Sequence, residues 1–204
     1  MPDDRNSPKQ VSPGGRERIL DEAEQLFHAR GYNTVTMKDI ANAVGIRQAS
    51  LYYHFPSKEQ LFVAVTERMF ERHRLGLQQA IYENGDNLRS QLYAIGAWFI
   101  SQPPIHFLSM VHTDMPLLDA ENTARLAACS SQCIFEPICQ IFAQAQQRGE
   151  IRNVRPQLLA GFFLSVMESL PLSTTLANAA PKEFIVHEMI SVLLDGLTPI
   201  GLTQ

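Results

Sequence analysis

The chain has 204 residues, is 45% apolar and 19% charged, and carries a formal charge of −4. Those values fit one domain with an extension or two small ones around a real core, and they exclude a generally basic protein that coats nucleic acid. Three cysteines, an odd number, exclude a disulfide framework and point to a reducing cytosol.

Charge is uneven along the chain. Residues 1–75 hold eleven Lys/Arg against ten Asp/Glu, the remainder six against eleven, and residues 40–58 contain no acid at all. Within that acid-free stretch Arg47, His54 and Lys58 donate hydrogen bonds or carry positive charge, which suggests one local anionic contact site. Residues 1–15 (MPDDRNSPKQVSPGG) lack an apolar run and read as a disordered tail rather than a leader. The longest apolar stretches, such as LLAGFFLSVM, are half of the roughly 20 residues that a membrane span needs, so a soluble cytoplasmic protein is expected.

Helical periodicity dominates and no run alternates with period two, so the expected fold class is all-α. Ile19, Leu20, Ala23, Leu26 and Phe27 share a first helix face that Gly31 closes. Thr36, with Asp39 three residues on, opens a second helix that buries Met37, Ile40, Ala41 and Val44. Gly45 supplies the turn, and a short third helix runs from about Arg47 to Tyr53. Pro56 stops it. Ser57 and Gln60 form the start signal of a long fourth helix, 57–84, with Leu61, Phe62, Val65 and Met69 inward. This order describes a helix-turn-helix unit over 16–62 and a second region over 63–204.

Leu88, Leu92, Ile95 and Phe99 mark the next helix, before Pro103 and Pro104 break the pattern. A short piece from Ile105 to His112 follows, then a long stretch from Asp119 to Arg148 that Pro137 should kink near Gln132–Cys133. Two apolar helices, 156–176 and 181–197, finish the chain.

The segment Leu51-Tyr52-Tyr53-His54-Phe55 decides what the third helix does. At about 100° per residue, Leu51 points away from Ala49 and Tyr53, and Phe55 returns to the Leu51 side. Leu51 and Phe55 therefore hold the helix to its neighbours, while Gln48, Ala49, Tyr52 and Tyr53 form an outward arc. In a helix-turn-helix such an arc enters the DNA major groove. Arg47 suits guanine or a phosphate, Gln48 suits adenine and Ala49 leaves room for a thymine methyl. The tyrosine hydroxyls, His54, Lys58 and the helix starts at Thr36 and Ser57 suit phosphate oxygens.

The segment TMKDIANAVGIRQASLYYHFPSKEQLFVAV resembles the DNA-binding signature of the TetR (tetracycline-repressor-like) family, and RILDEAEQLFHARGYNTVTMKDIA fits that family's first helix and turn. The specific part is the fixed order Thr36, Ile40, Ala41, Gly45, Leu51, Tyr52, Tyr53, His54, Phe55, Lys58, Leu61. The resemblance implies a homodimeric transcription regulator, usually a repressor, that a small molecule releases from palindromic double-stranded operator DNA. It assigns DNA contacts to Thr36, Lys38, Arg47, Gln48, Ala49, Ser50, Tyr52, Tyr53, His54 and Lys58. Beyond about Phe70 it extends only to a pattern of helices.

In that second region the last two helices suggest a two-fold interface of the kind the family uses, built from Leu159, Phe162, Phe163, Val166, Ile190, Leu193, Leu194 and Leu197. The expected pocket for a largely apolar effector gathers Trp98, Phe99, His106, Phe107, Met110, His112, Met115, Cys129, Cys133, Met167 and Glu168. Cys129 and Cys133, four residues apart, could reach a common metal with His106 or His112. Cys139 leaves that face, and two ligands do not make a metal site, so no metal and no cofactor is expected. A thiol switch needs a depressed pKa and exposure, and nothing basic is expected nearby, so none is expected. No nucleophile–base pair or phosphate loop is present, so an enzyme is not expected. An all-α enzyme that keeps the motif and a DNA-binding protein without a ligand remain the alternatives.

Overall fold

The structure is a computed structural model that describes residues 14–103, 110–171 and 180–197. Among the described residues it is all-α, with no strand. The chain divides into two compact units at Arg68/Met69, inside the fourth helix and beyond residue 62, where the sequence pattern placed the change.

The first unit contains α1 (Gly14–Thr34), α2 (Met37–Val44), α3 (Gln48–His54) and the start of α4 (Lys58–Glu83). Helical geometry breaks in α1 at Gly31, where φ is +74°, a conformation glycine adopts without a Cβ penalty. A final turn then carries the chain to Tyr32, which is buried against Phe62 at 4.7 Å between ring centroids, with Phe27 edge-on to Phe62 at 5.3 Å. Tilted and edge-to-face aromatic pairs of this kind are worth about 0.5–1.5 kcal/mol each beyond their area.

α2 starts at a complete capping box. The Thr36 hydroxyl accepts from the Asp39 N–H at 3.1 Å, and the Asp39 carboxylate accepts from the Thr36 N–H at 2.9 Å. Those bonds hold the Asp39 carboxyl below its ordinary value of 3.8, the Thr36 side chain contributing most. The folded pKa is the lower one, so this contribution is complete above the ordinary carboxyl value and fades as pH falls through the folded value. Thr36→Ala should cost about 0.5–2 kcal/mol, typically 1, with a smaller loss of stability in acid than the parent shows. Urea unfolding at neutral and acid pH checks both.

α1 is tied to α4 by one cation. The Arg68 guanidinium donates to Glu17 at 3.3 Å, Asp21 at 2.8 Å and Glu24 at 2.8 Å, all on one face of α1. This explains why the first unit extends past Phe62 to Arg68.

The second unit holds the rest of α4, α5 (Leu88–Ser101), α6 (Ala120–Ser130), α7 (Glu136–Gln147), α8 (Pro156–Glu168) and α9 (Lys182–Asp195). Its core includes Phe70, Leu92, Ile95, Ile138, Phe142, Phe163 and Ile190, each fully shielded from solvent. A π-helical turn, Ser131–Phe135, joins α6 to α7. It contains Gln132 and Cys133, where the missing N–H of Pro137, four residues on, predicts a kink. Taken through that turn, Ala120–Gln147 is long and apolar enough to cross a membrane by length and composition. That differs from the expectation drawn from shorter runs. Its Leu126, Ile134, Ile138, Ile141 and Phe142 are nevertheless buried within the chain.

Two expected elements change. α8 ends at Glu168, a turn falls at Ser169 and Leu170–Pro171 are helical again, while the rest of the helix expected over 156–176 lies outside the described residues. The short piece expected over 105–112 lies outside the described residues up to 109, and Met110–Asp114 forms a π-helical turn.

Candidate functional site

α3 is set by its neighbours more than by its own sequence. Gly45 takes the left-handed conformation (φ 76°, ψ 33°) and returns its N–H to Ala41 and Asn42, ending α2 within one residue. Ile46 closes the turn on Ala41 at 3.0 Å, and the Arg47 carbonyl then accepts from Ser50 and Leu51 to start α3. No side chain caps α3 at Arg47, and Leu51 is its only buried residue. The seven-residue helix is therefore held in place by Leu51, wholly buried, and by the following Phe55, 4% exposed, over which the Arg16 guanidinium sits at 5.0 Å.

That anchoring leaves the opposite side of α3 in solvent. Arg47, Gln48, Ala49 and Ser50 are exposed, and Tyr52 and Tyr53 are 44% and 77% exposed. His54 is half-buried and meets Tyr53 edge-on, with ring centroids 5.6 Å apart. No acid lies on this helix, so the outward surface offers donors and phenols without a competing carboxylate. Lys38 is exposed on α2.

Two of the residues assigned to DNA also have structural work, which the sequence revealed for Thr36 and not for Lys58. The Thr36 N–H and hydroxyl both donate to Asp39, the hydroxyl at 2.6 Å. Thr36 therefore serves the start of α2 and has no proton left for a phosphate. Lys58 donates to the Tyr32 carbonyl at 3.0 Å and lies 4.2 Å from the centre of the Tyr32 ring. Three protons on the ammonium leave two for an outside acceptor. Sequence reasoning also missed Arg18, which donates to the Val44 carbonyl at 3.1 Å at the end of α2, and the Arg68 clamp. The spacing Glu17, Asp21, Glu24 along one helix face was the available signal for that clamp.

In the second unit, Trp98, Phe99, Met110 and Cys129 pack against the core that contains Cys133 and Met167. Trp98 lies across Gly76 of α4, and its Nε1–H donates to His73 Nδ1 at 3.2 Å. Accepting that bond requires His73 Nδ1 to be unprotonated. The His73 ring is completely buried and tilts over Phe99 at 5.5 Å. Sequence reasoning passed over it because a single histidine within a long helix carries no spacing signal. Met115 is buried and Glu168 half-buried, whereas His112 is exposed and does not line an interior. His106 and Phe107 lie outside the described residues.

The expected interface also needs correction. Leu159, Phe163, Ile190, Leu193, Leu194 and Leu197 are all buried inside this chain, in its own core. Val166 is half-buried, and Phe162 is the one member of that set that is well exposed. The exposed apolar residues of α8 and α9 are Leu158 and Phe162, four residues apart, with Phe184 and Val192. Each of these helices is apolar on more than one side, and only packing shows which side the chain uses itself.

Residues 19–65 match the family described as bacterial regulatory proteins, tetR family. That match places the helix-turn-helix of the first unit, residues 19–65, among those of the TetR family. Among its relatives are the transcriptional activator FasR of Mycolicibacterium smegmatis, 34% identical over 84 residues, 41% of this chain and 38% of that one. The negative transcriptional regulator of the biofilm operon icaADBC, IcaR, of Staphylococcus epidermidis is 40% identical over 55 residues, 27% of this chain and 30% of that one. The match thus spans under two-fifths of these curated relatives, from 38% down to 30% of their lengths. Among solved structures, AibR in complex with isovaleryl coenzyme A and operator DNA superposes with a TM-score of 0.72 at 26% identity. That alignment covers 88% of this chain and 98% of AibR.

Proposed function

We propose that this chain is a TetR-family, cytoplasmic, homodimeric transcriptional repressor without catalytic activity, which binds a palindromic operator through α3 and is released by a small, largely apolar effector held in the second unit. The observation that carries the reading is the division of one seven-residue helix. Leu51 is 0% exposed on its inner side, while Tyr52 and Tyr53 are 44% and 77% exposed beside exposed Arg47, Gln48 and Ala49. A helix held by one side and bare on the other, at the end of a glycine turn, is what major-groove insertion requires.

In this reading Arg47 and Gln48 reach base edges, Ala49 admits a thymine methyl, and Lys38, Ser50, Tyr52, Tyr53, His54 and Lys58 meet the backbone. Dimerisation uses the exposed Leu158, Phe162, Phe184 and Val192, and places two copies of α3 about 34 Å apart on one face of the duplex. The effector region is the neighbourhood of His73, Trp98 and Phe99, an apolar setting with one imidazole anchor. AibR, whose structure carries both an acyl-coenzyme A and operator DNA, supports a two-ligand reading. Release follows if the effector prefers a DNA-incompetent arrangement. A coupling of about 1–3 kcal/mol carried along α4, which belongs to both units, weakens operator binding about 5–150-fold.

Selection of genomic fragments by the purified full chain at physiological salt tests this. Recovery of one or a few palindromic sites is expected, and a folded protein that recovers nothing above background contradicts the reading. On a recovered site, Tyr52→Ala should weaken binding to all sequences alike. Gln48→Ala should instead relax preference at particular base pairs, by about 1–3 kcal/mol. Uniform loss on every sequence for Gln48→Ala would remove its base-reading role.

A further inference from the structure

Cys129 and Cys133 hold their sulfurs 3.7 Å apart, Cys129 half-buried and Cys133 buried. They straddle the point where α6 gives way to the π-helical turn Ser131–Phe135. A π turn is wider than an α turn and rotates less per residue. It therefore brings Cys133 back over Cys129 instead of past it.

The spacing is wrong for a disulfide and right for a bridge. A disulfide needs sulfurs about 2.0 Å apart and Cβ atoms about 3.5–4.5 Å apart, whereas helical neighbours four residues apart have Cβ atoms about 5–6 Å apart. Forming the bond from a 3.7 Å contact means drawing the sulfurs together by about 1.7 Å against the helical backbone. A pyramidal trivalent atom bonded to both sulfurs at about 2.3 Å, with an angle of about 100°, places them about 3.5 Å apart. The thiols stand within about 0.2 Å of that distance.

The number of donors narrows the occupant. Among the described residues no group of three or more His, Cys, Asp and Glu is placed to hold a metal ion, so these residues offer two sulfurs and not the four ligands that a structural metal takes. Trivalent arsenic that already carries one organic group needs two sulfurs and nothing more. We propose that Cys129 and Cys133 form a dithiol site for a mono-organic trivalent arsenical, R–As(OH)2. Each thiol displaces one hydroxyl. Two As–O and two S–H bonds break, two As–S bonds form, two waters leave, and no electrons are transferred.

The surroundings suit this chemistry. Ala128 and Gln132, beside the two cysteines, are exposed and leave a way in from solvent. Both sulfurs adjoin the apolar core of the second unit, so an apolar R group is accommodated on the inner side. Arg74, held charged chiefly by its hydrogen bond to Glu71, also feels Cys133, a nearby cation that sequence spacing did not reveal. Cys139 is different. Burial, followed by the neighbouring Glu136, pushes its thiol pKa up and keeps it protonated, so it serves as the internal control.

The site goes beyond the regulatory reading and is tested without DNA. Full-length protein is treated with phenylarsine oxide, desalted against excess monothiol and weighed intact. One phenylarsenic per chain is expected, removed by a small dithiol. It should be lost in Cys129→Ser, Cys133→Ser and Cys133→Ala, with folding of each confirmed by circular dichroism, and kept in Cys139→Ser. Retention of the adduct in a folded Cys129 or Cys133 variant overturns the proposal, as does equal loss in Cys139→Ser. So does a 129–133 disulfide forming under mild diamide faster than the arsenical adduct forms.

Discussion

Leu51→Ala is expected to destabilise the first unit by about 2–5 kcal/mol and to abolish specific DNA binding, although Leu51 touches no DNA in the proposed complex. The helix that carries the reader has seven residues and one buried side chain, and no side chain caps its start. Isolated helices of that length are not stable in water, so α3 exists because Leu51 and Phe55 pin it. Deleting three buried carbons removes transfer free energy and leaves a cavity that a short, turn-bound helix fills by shifting. Its neighbour gives the control. Tyr52→Ala removes a side chain that is 44% exposed and should change stability by less than about 0.5 kcal/mol, as surface substitutions do. Thermal unfolding of both variants, alongside binding to a selected fragment, separates the two roles. If Leu51→Ala kept full stability while Tyr52→Ala unfolded the unit, the assignment of inner and outer sides of α3 would be reversed.

Gly76→Val is expected to destabilise the second unit by about 1–3 kcal/mol through overpacking. A Cβ built at Gly76 comes within 2.0 Å of Trp98 Cε2, closer than any real contact. The indole must move, and its hydrogen bond to His73 is lost with it. Valine also brings helix propensity that glycine lacks, so the fall measures the clash net of that gain. Trp98 is the only tryptophan of the chain, and its fluorescence reports the displacement directly. Trp98→Ala alone should also destabilise. The double variant should lose less than the two single losses together, because the clash needs both partners. Strict additivity, or an unchanged emission spectrum in Gly76→Val, would show that Trp98 does not pack on this glycine.

These outcomes bear on the expected coupling between effector and reader. His73, Gly76 and Trp98 join α4 to α5 within the second unit, and Arg68 joins α4 to α1 within the first. One helix thus carries both attachments. Variants at Gly76 that leave the protein folded are therefore the place to look for altered release without altered base preference.

Much of the first unit was legible because its signals are local. Thr36 and Asp39 three residues apart can close only one kind of helix start, Gly45 can take a positive φ that other residues avoid, and the wheel of α3 depends only on the helical repeat. Each was read from a few adjacent residues, and the structure reproduces each. Local signals failed where one residue had two possible tasks. Thr36 and Lys58 look like phosphate donors by type, yet the Thr36 hydroxyl proton goes to Asp39 and one of the three Lys58 protons goes to Tyr32, which lies twenty-six positions away.

In the second unit the sequence determined where the helices lie and where the long one breaks, because apolar period and proline chemistry are properties of short segments. It could not say which side of α8 or α9 faces inward. Both helices are apolar on several sides, and burial of Leu159, Phe163, Ile190, Leu193 and Leu194 is settled by what the other helices leave open. The same holds for the Gly76–Trp98 fit, the buried His73 and the 3.7 Å between Cys129 and Cys133. Spacing along the chain fixes direction about a helix axis to within tens of degrees, but contact distances between side chains arise only when the helices pack.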